Sequence, residues 1–98
     1  MPKGYLIGHV TISDADAYAA YAKAAAEAMA PFTPTLIAAG RYENLEGEAH
    51  ERHVVFEFAS FDEAKRFYDS PAYQAAKALR AGAATGTFVL LEGMPENA

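Results

Sequence analysis

The stretch from Arg52 to Tyr73 most narrows what this chain can fold into. Val54, Phe56 and Phe58 alternate with His53, Val55 and Glu57. β-branched and aromatic residues at period two define a strand with one apolar face and one mixed face. Ser60 follows, with Glu63 three residues on, the spacing of a capping box. Phe61, Ala64, Phe67 and Tyr68 give the helix after it an apolar stripe. Ser70-Pro71 opens another helix, since serine is a good N-cap and proline suits the first helical position. Asp69 does not easily stay helical with that geometry following, so a kink or break is expected there.

The remaining elements fall in place around this unit. Tyr5 to Ile12 reads as a first strand, with Tyr5, Ile7, His9 and Thr11 on one face and Leu6, Gly8, Val10 and Ile12 on the other. Ser13-Asp14 offers an N-cap to a helix that runs to about Met29, and Pro31 and Pro34 stop it. Tyr18, Tyr21, Ala22, Ala25 and Met29 share a side of that helix and are read as core. Thr35 to Glu46 is expected as a second, long and irregular strand, with a bulge or bend at Gly40. Asn44 to Glu48 forms the turn of a hairpin into the strand already described. Ala72 to Ala81 is a short helix with Gly82 as its stop, and Thr85 to Glu92 is the last strand. A polar tail, 93–98, is expected to be mobile.

The order is therefore β-α-β-β-α-β with the second helix split. That predicts one α+β domain over residues 1–98: a ferredoxin-like, antiparallel four-stranded sheet with helices on one face. The other sheet face needs cover, because Leu, Val, Ile or Phe from several strands would leave a large apolar surface in water. The simplest cover is the same face of a second copy, giving a homodimer with twofold symmetry. A chain of 98 residues buries only about 60–65% of its unfolded surface, so a partner subunit also helps stability.

Composition excludes several functions. There is no cysteine, hence no disulfide, thiolate nucleophile or cysteine-based zinc site. The net charge is −5 and no Lys/Arg cluster appears, so nucleic acid is not an expected partner. No apolar run approaches the roughly 18 residues of a membrane span. The N-terminus has no signal-peptide pattern, which makes the cytoplasm the expected compartment.

Taken together these residues resemble the bacterial family catalogued as domain of unknown function 1330. The resemblance rests on Gly4-Tyr5, on Asp16-Ala17-Tyr18-Ala19-Ala20-Tyr21, on Gly40-Arg41, on Leu45-Glu46-Gly47 and on Glu57-Phe58-Ala59-Ser60-Phe61. Phe67-Tyr68-Asp69-Ser70-Pro71-Ala72-Tyr73 is its most specific part, followed by Lys77, Arg80 and Glu92-Gly93. The chain departs from the pattern at Pro34-Thr35, where glycines are frequent. The resemblance implies a dimeric α/β barrel of ferredoxin-like halves. It supplies no reaction, since the wider superfamily holds cofactor-free monooxygenases, haem-degrading enzymes, lactone isomerases and proteins without assigned activity.

Three groups of residues are candidates for chemistry. His9, His53 and Glu57 form the first: strands one and three are neighbours in this topology, and a carboxylate beside an imidazole makes a general base. The competing, favoured reading pairs Glu57 with Arg41 or a tyrosine hydroxyl as a structural group. The second is the broken helix, where Ser70, Tyr68 and Tyr73 would line a pocket and exposed N–H groups would suit a carboxylate. Capping alone also explains Ser70, and the tyrosines as core fillers are favoured. Arg41 is the third, a guanidinium for a carboxylate ligand. His50 and His53 have a spacing seen in metal sites, but an extended segment sends them to opposite sides, so neither metal nor cofactor is expected. Pro2, as a processed N-terminus, is a remote tautomerase-like base that the element order does not fit.

The function that best fits is a small soluble homodimer binding a hydrophobic or carboxylate-bearing metabolite between helices and sheet, through Arg41, Glu57, Tyr68 and Tyr73. The alternatives are a cofactor-independent monooxygenase or isomerase with a histidine base, and a structural or regulatory dimer.

Overall fold

The computed structural model describes residues 1–95. In chain order it has β1 (Gly4–Ile12), α1 (Ala15–Met29), a 3-10 turn (Ala30–Phe32), β2 (Thr35–Ala38), β3 (Arg52–Phe58), α2 (Phe61–Asp69), α3 (Pro71–Leu79) and β4 (Ala84–Glu92). The four strands form one antiparallel sheet in the order β2-β3-β1-β4. This is the ferredoxin-like arrangement, with the second helix divided as expected.

The caps explain where the helices begin. Asp14 Oδ1 accepts from the Ala17 N–H at 3.2 Å to start α1. Ser60 Oγ accepts from the Glu63 N–H at 3.1 Å to start α2. The reciprocal half of that capping box is absent, because the Glu63 carboxylate accepts from the Arg66 guanidinium instead. Ser70 has extended backbone geometry, φ −63° and ψ 145°, and it both ends α2 and caps α3. Proline at the first position of α3 loses no hydrogen bond there. Helix α1 is not stopped abruptly by its prolines: Pro31 lies inside the 3-10 turn that continues it.

The second strand is the main departure from the sequence expectation. It ends at Ala38, not Glu46, after an irregularity between Leu36 and Ala38. Residues 39–51 leave the sheet as a loop, so β2 and β3 are joined by a long excursion and not by a tight hairpin. Asn44 closes this loop by acting as a strand would: its Nδ2 donates to the His50 carbonyl at 2.9 Å and its Oδ1 accepts from the His50 N–H at 3.3 Å. Gly47, at φ +82°, makes the turn between them.

The core lies between the helices and one sheet face. Leu6 and Val10 of β1 and Phe58 of β3 meet Tyr18, Tyr21 and Ala25 of α1, Phe67 of α2 and Tyr73 and Ala76 of α3. Phe67, fully buried, stacks on Phe58 with centroids 5.4 Å apart and tilts against Tyr73 at 4.8 Å. Gly4 lets α2 dock closely on β1: a Cβ there would lie 2.3 Å from the Ser60 carbonyl oxygen.

The helix-free face carries Tyr5, Ile7, His9 and Thr11 of β1, His53, Val55 and Glu57 of β3, and Thr87, Val89 and Leu91 of β4. Its apolar residues are Ile7, Val55, Val89 and Leu91, as expected of a face needing cover, while Phe56, Phe58 and Phe88 have the opposite parity and face the helices. Val89 and Leu91 remain 44% and 54% exposed. At the end of β4 the Gly93 N–H donates to the Lys3 carbonyl at 2.8 Å, which ties the start of the tail to β1. Residues 96–98 of the expected mobile tail lie outside the described residues.

Candidate functional site

The sheet separates the candidate residues into two places. On the helix side, a cavity of about 140 Å³ lies between α1 and the sheet. Its apolar walls include Leu6, Ala25, Val54 and Phe88, and Tyr18, Tyr21 and Tyr73 add aromatic faces. The Tyr21 and Tyr73 hydroxyls bond to each other at 2.9 Å within the core. Burial, reinforced by that bond, pushes the Tyr21 phenol well above the usual tyrosine range. The Arg80 guanidinium lies 5.0 Å from the Tyr21 ring centroid and 4.6 Å from that of Phe88, a cation held against two π faces. Burial works against this cation, but the Tyr73 and Tyr21 hydroxyls beside it outweigh that and raise its pKa. Arg52, exposed at the edge of the cavity, stands 5.9 Å over the Tyr18 ring.

On the helix-free side, His9 and His53 face each other across the β1–β3 ladder. Their Nδ1 atoms are 2.6 Å apart. His53 Nε2 lies 3.0 Å from the His50 carbonyl oxygen, and the Tyr42 ring packs on His53 at 4.6 Å. His50 itself is buried, with Nδ1 3.0 Å from Thr11 Oγ1. These groups line an open groove of about 570 Å³ whose rim includes Glu43, Glu46 and Glu48 of the loop and Thr87 of β4. The neighbouring of β1 and β3 agrees with the sequence expectation, and the register then sets His9 opposite His53.

Glu57 does not join the histidines. It accepts from the Tyr5 hydroxyl at 3.1 Å, two pleats along the sheet, and this bond raises the Tyr5 pKa. The structural reading of Glu57, a tyrosine partner, is the one found. The structure also does not gather Arg41, Glu57, Tyr68 and Tyr73 at one pocket. Arg41 is exposed on the loop, without a hydrogen-bond or ion-pair partner among the described residues. Glu57 is on the helix-free face, while Tyr73 is 1% exposed in the core. Tyr68 lines a separate cleft beside Leu6, Phe88 and Leu90, with Lys77 Nζ 5.5 Å from its ring centroid. Ser70 Oγ is occupied: it donates to the Phe67 carbonyl at 2.7 Å and accepts from the Tyr73 N–H at 3.2 Å. The wall residues Arg52 and Tyr18 were missed as a pair because they come from elements whose approach only the fold reveals. The signal for Arg52 was its parity with Val54 and Phe56, which puts it on the helix side. No cluster of three metal-ligating side chains suited to an ion occurs among the described residues.

The fold and its two-faced sheet define a ferredoxin-like α+β protein of the kind found in dimeric α/β barrels. The chain belongs to the family described as Domain of unknown function (DUF1330), which it matches over residues 3–94. A protein of unknown function from Rhodopseudomonas palustris has the same fold, with a TM-score of 0.76 and 18% identity, covering 96% of this chain and 84% of that one. A cofactor-independent oxygenase from Streptomyces nogalater, SnoaB, aligns with a TM-score of 0.65 and 11% identity, covering 97% and 96% of the two chains. A dimeric ferredoxin-like protein of unknown function from Thermobifida fusca aligns with a TM-score of 0.62 and 18% identity, covering 93% and 91%. No curated protein matches the sequence. Among the described residues no helix is long and apolar enough to cross a membrane.

Proposed function

We propose that the protein is a homodimer that binds a small carboxylate-bearing molecule with one apolar ring in the cavity between α1 and the sheet. The single observation that carries this reading is the combination of an apolar cavity with one cation, Arg52, at its edge. The cavity's 140 Å³ is close to the roughly 150 Å³ of an engineered apolar cavity that accepts benzene. A ring would occupy the space beside Ala25 and Val54, and its carboxylate would meet the guanidinium, for which bidentate pairing is well suited. Of the ligand contacts expected from the sequence, Tyr73 belongs to this cavity; Tyr18, Tyr21 and Arg52 replace Arg41, Tyr68 and Ser70. Self-association through the helix-free face is supported by the exposed Val89 and Leu91 beside Ile7 and Val55, and by the dimeric state in the name of the Thermobifida fusca protein. Cytoplasmic residence is part of the same proposal.

Benzoate is the probe. Titrated into labelled protein, it should saturate amide shifts clustered at Tyr18, Tyr21 and Arg52. Arg52→Gln should weaken binding about tenfold, since a charge-assisted hydrogen bond contributes roughly 1.5–3 kcal/mol. Ala25→Leu, which fills the cavity, should remove the shifts. Non-saturating or scattered shifts in the wild type would sink the proposal.

A further inference from the structure

We propose that the groove on the helix-free face is a general-base site, in which His9 Nε2 takes a proton from a small neutral or cationic carbonyl compound. The inference does not use the cavity ligand, since the groove lies on the other side of the sheet. It shares the helix-free face with the proposed dimer, whose contact through Ile7, Val55, Val89 and Leu91 must leave the groove between the loop and Thr87 open.

The hydrogen bonds fix the proton positions. A carbonyl oxygen only accepts, so His53 Nε2 must donate to His50. A neutral His53 then presents a lone pair at Nδ1. His9 Nδ1, 2.6 Å away, must donate to it. His9 is left with a lone pair on Nε2, the nitrogen for which no partner exists among the described residues. The orientation of a base by a second group that is itself held by a third is the logic of activated acid–base sites. Here the third group is the His50 backbone, clamped on both its N–H and its carbonyl by Asn44.

Proton uptake breaks none of these bonds. When Nε2 of His9 gains a proton, the Nδ1 proton can pass to His53, and the charge resides on either ring with the same partners.

The rim selects the substrate. Glu43, Glu46 and Glu48 line the groove and no lysine or arginine does. Their field opposes anions and favours neutral or cationic molecules. The 570 Å³ volume is within the range of small-molecule sites. The step is a proton transfer: a C–H bond next to a carbonyl breaks, its electron pair moves into the enolate, and an N–H bond forms at His9. Thr87, the ladder partner of His9 on β4, brings its hydroxyl to the same groove for the enolate oxygen. Returning the proton to the same or the conjugated carbon completes exchange or isomerisation, with no oxidant or co-reactant.

Acetylacetone in deuterated buffer is the probe, with loss of the central C–H signal as the readout. The wild-type protein should accelerate exchange over matched buffer. His9→Gln should lose this acceleration by on the order of 100-fold, the scale of a removed general base. His9→Gly should regain it with free imidazole. His53→Ala, which removes the tautomer lock, should shift the pH profile of the rate. Circular dichroism checks that each variant is folded. No acceleration by the wild type, or equal acceleration by folded His9→Gln, overturns the assignment.

Discussion

Replacing Tyr21 and Tyr73 by phenylalanine, singly and together, tests how the core holds its polar atoms. The two hydroxyls are 2.9 Å apart in residues 7% and 1% exposed. Either single change keeps the ring packing but leaves the other hydroxyl buried with a lost partner. That costs about 1–3 kcal/mol, the desolvation of an unsatisfied group. The double change removes both polar atoms while keeping the shape, and such paired replacement is nearly neutral. The double variant should therefore be more stable than the sum of the single effects predicts, by about 1 kcal/mol or more. The Tyr73 and Tyr21 hydroxyls also favour the Arg80 cation, so the double variant loses that interaction as well, which keeps the expected difference at about 1 kcal/mol. Urea unfolding at pH 7 followed by far-ultraviolet circular dichroism measures all four corners of the cycle. Additive single effects would refute the reasoning. The pH dependence supplies a second check. The Tyr21 pKa is raised in the folded state above its ordinary value of 10.0, chiefly by burial. Its stabilising contribution is complete below about pH 10 and is lost as the pH rises through the folded pKa. The stability gap between wild type and Tyr21→Phe should thus narrow in strong alkali and stay constant from pH 6 to 9.

Two further outcomes are expected. Ser70→Ala removes an N-cap and a hydroxyl bond at the helix break, and should cost about 1 kcal/mol in the same urea assay; no change would mean that proline alone sets the break. Gly86→Ala would set a Cβ 2.1 Å from the His9 carbonyl oxygen and should destabilise by about 1–3 kcal/mol, while Gly40→Ala, in open space, should fall within about 0.5 kcal/mol of wild type.

Strand β3, the Ser60 cap and the break at Ser70 were legible because each depends on neighbours in sequence: parity, a side chain three residues from an N–H, a proline after a serine. The facing of His9 and His53 was legible only in part: strand order sets β1 beside β3, but the face that carries His9 and the register that pairs it with His53 come from the structure. The end of β2 was not. A strand persists only where a partner offers backbone groups, and β3 begins at Arg52, with residues 39–51 outside the ladder. The proposed grouping of Arg41, Glu57, Tyr68 and Tyr73 failed for a related reason. Glu57 and Tyr73 lie on opposite sides of the sheet, and Arg41 sits on the loop that the missing strand became. The His50 carbonyl that fixes the His53 tautomer could not be read at all, because its position depends on an irregular backbone held by one asparagine.

That asparagine also divides the loop into parts with different freedom to change. Asn44 and His50 close a small ring of chain, and everything between them hangs outside the closure. Lengthening the tip around Gly47 would add little closure entropy, about 0.6 kcal/mol per doubling of a flexible loop. It would leave the His50 carbonyl where it is. Descendants of this sequence can therefore vary the tip, and with it the charge and reach of the groove's outer wall, without rewriting the histidine pair. Any change at position 44 itself acts on both at once.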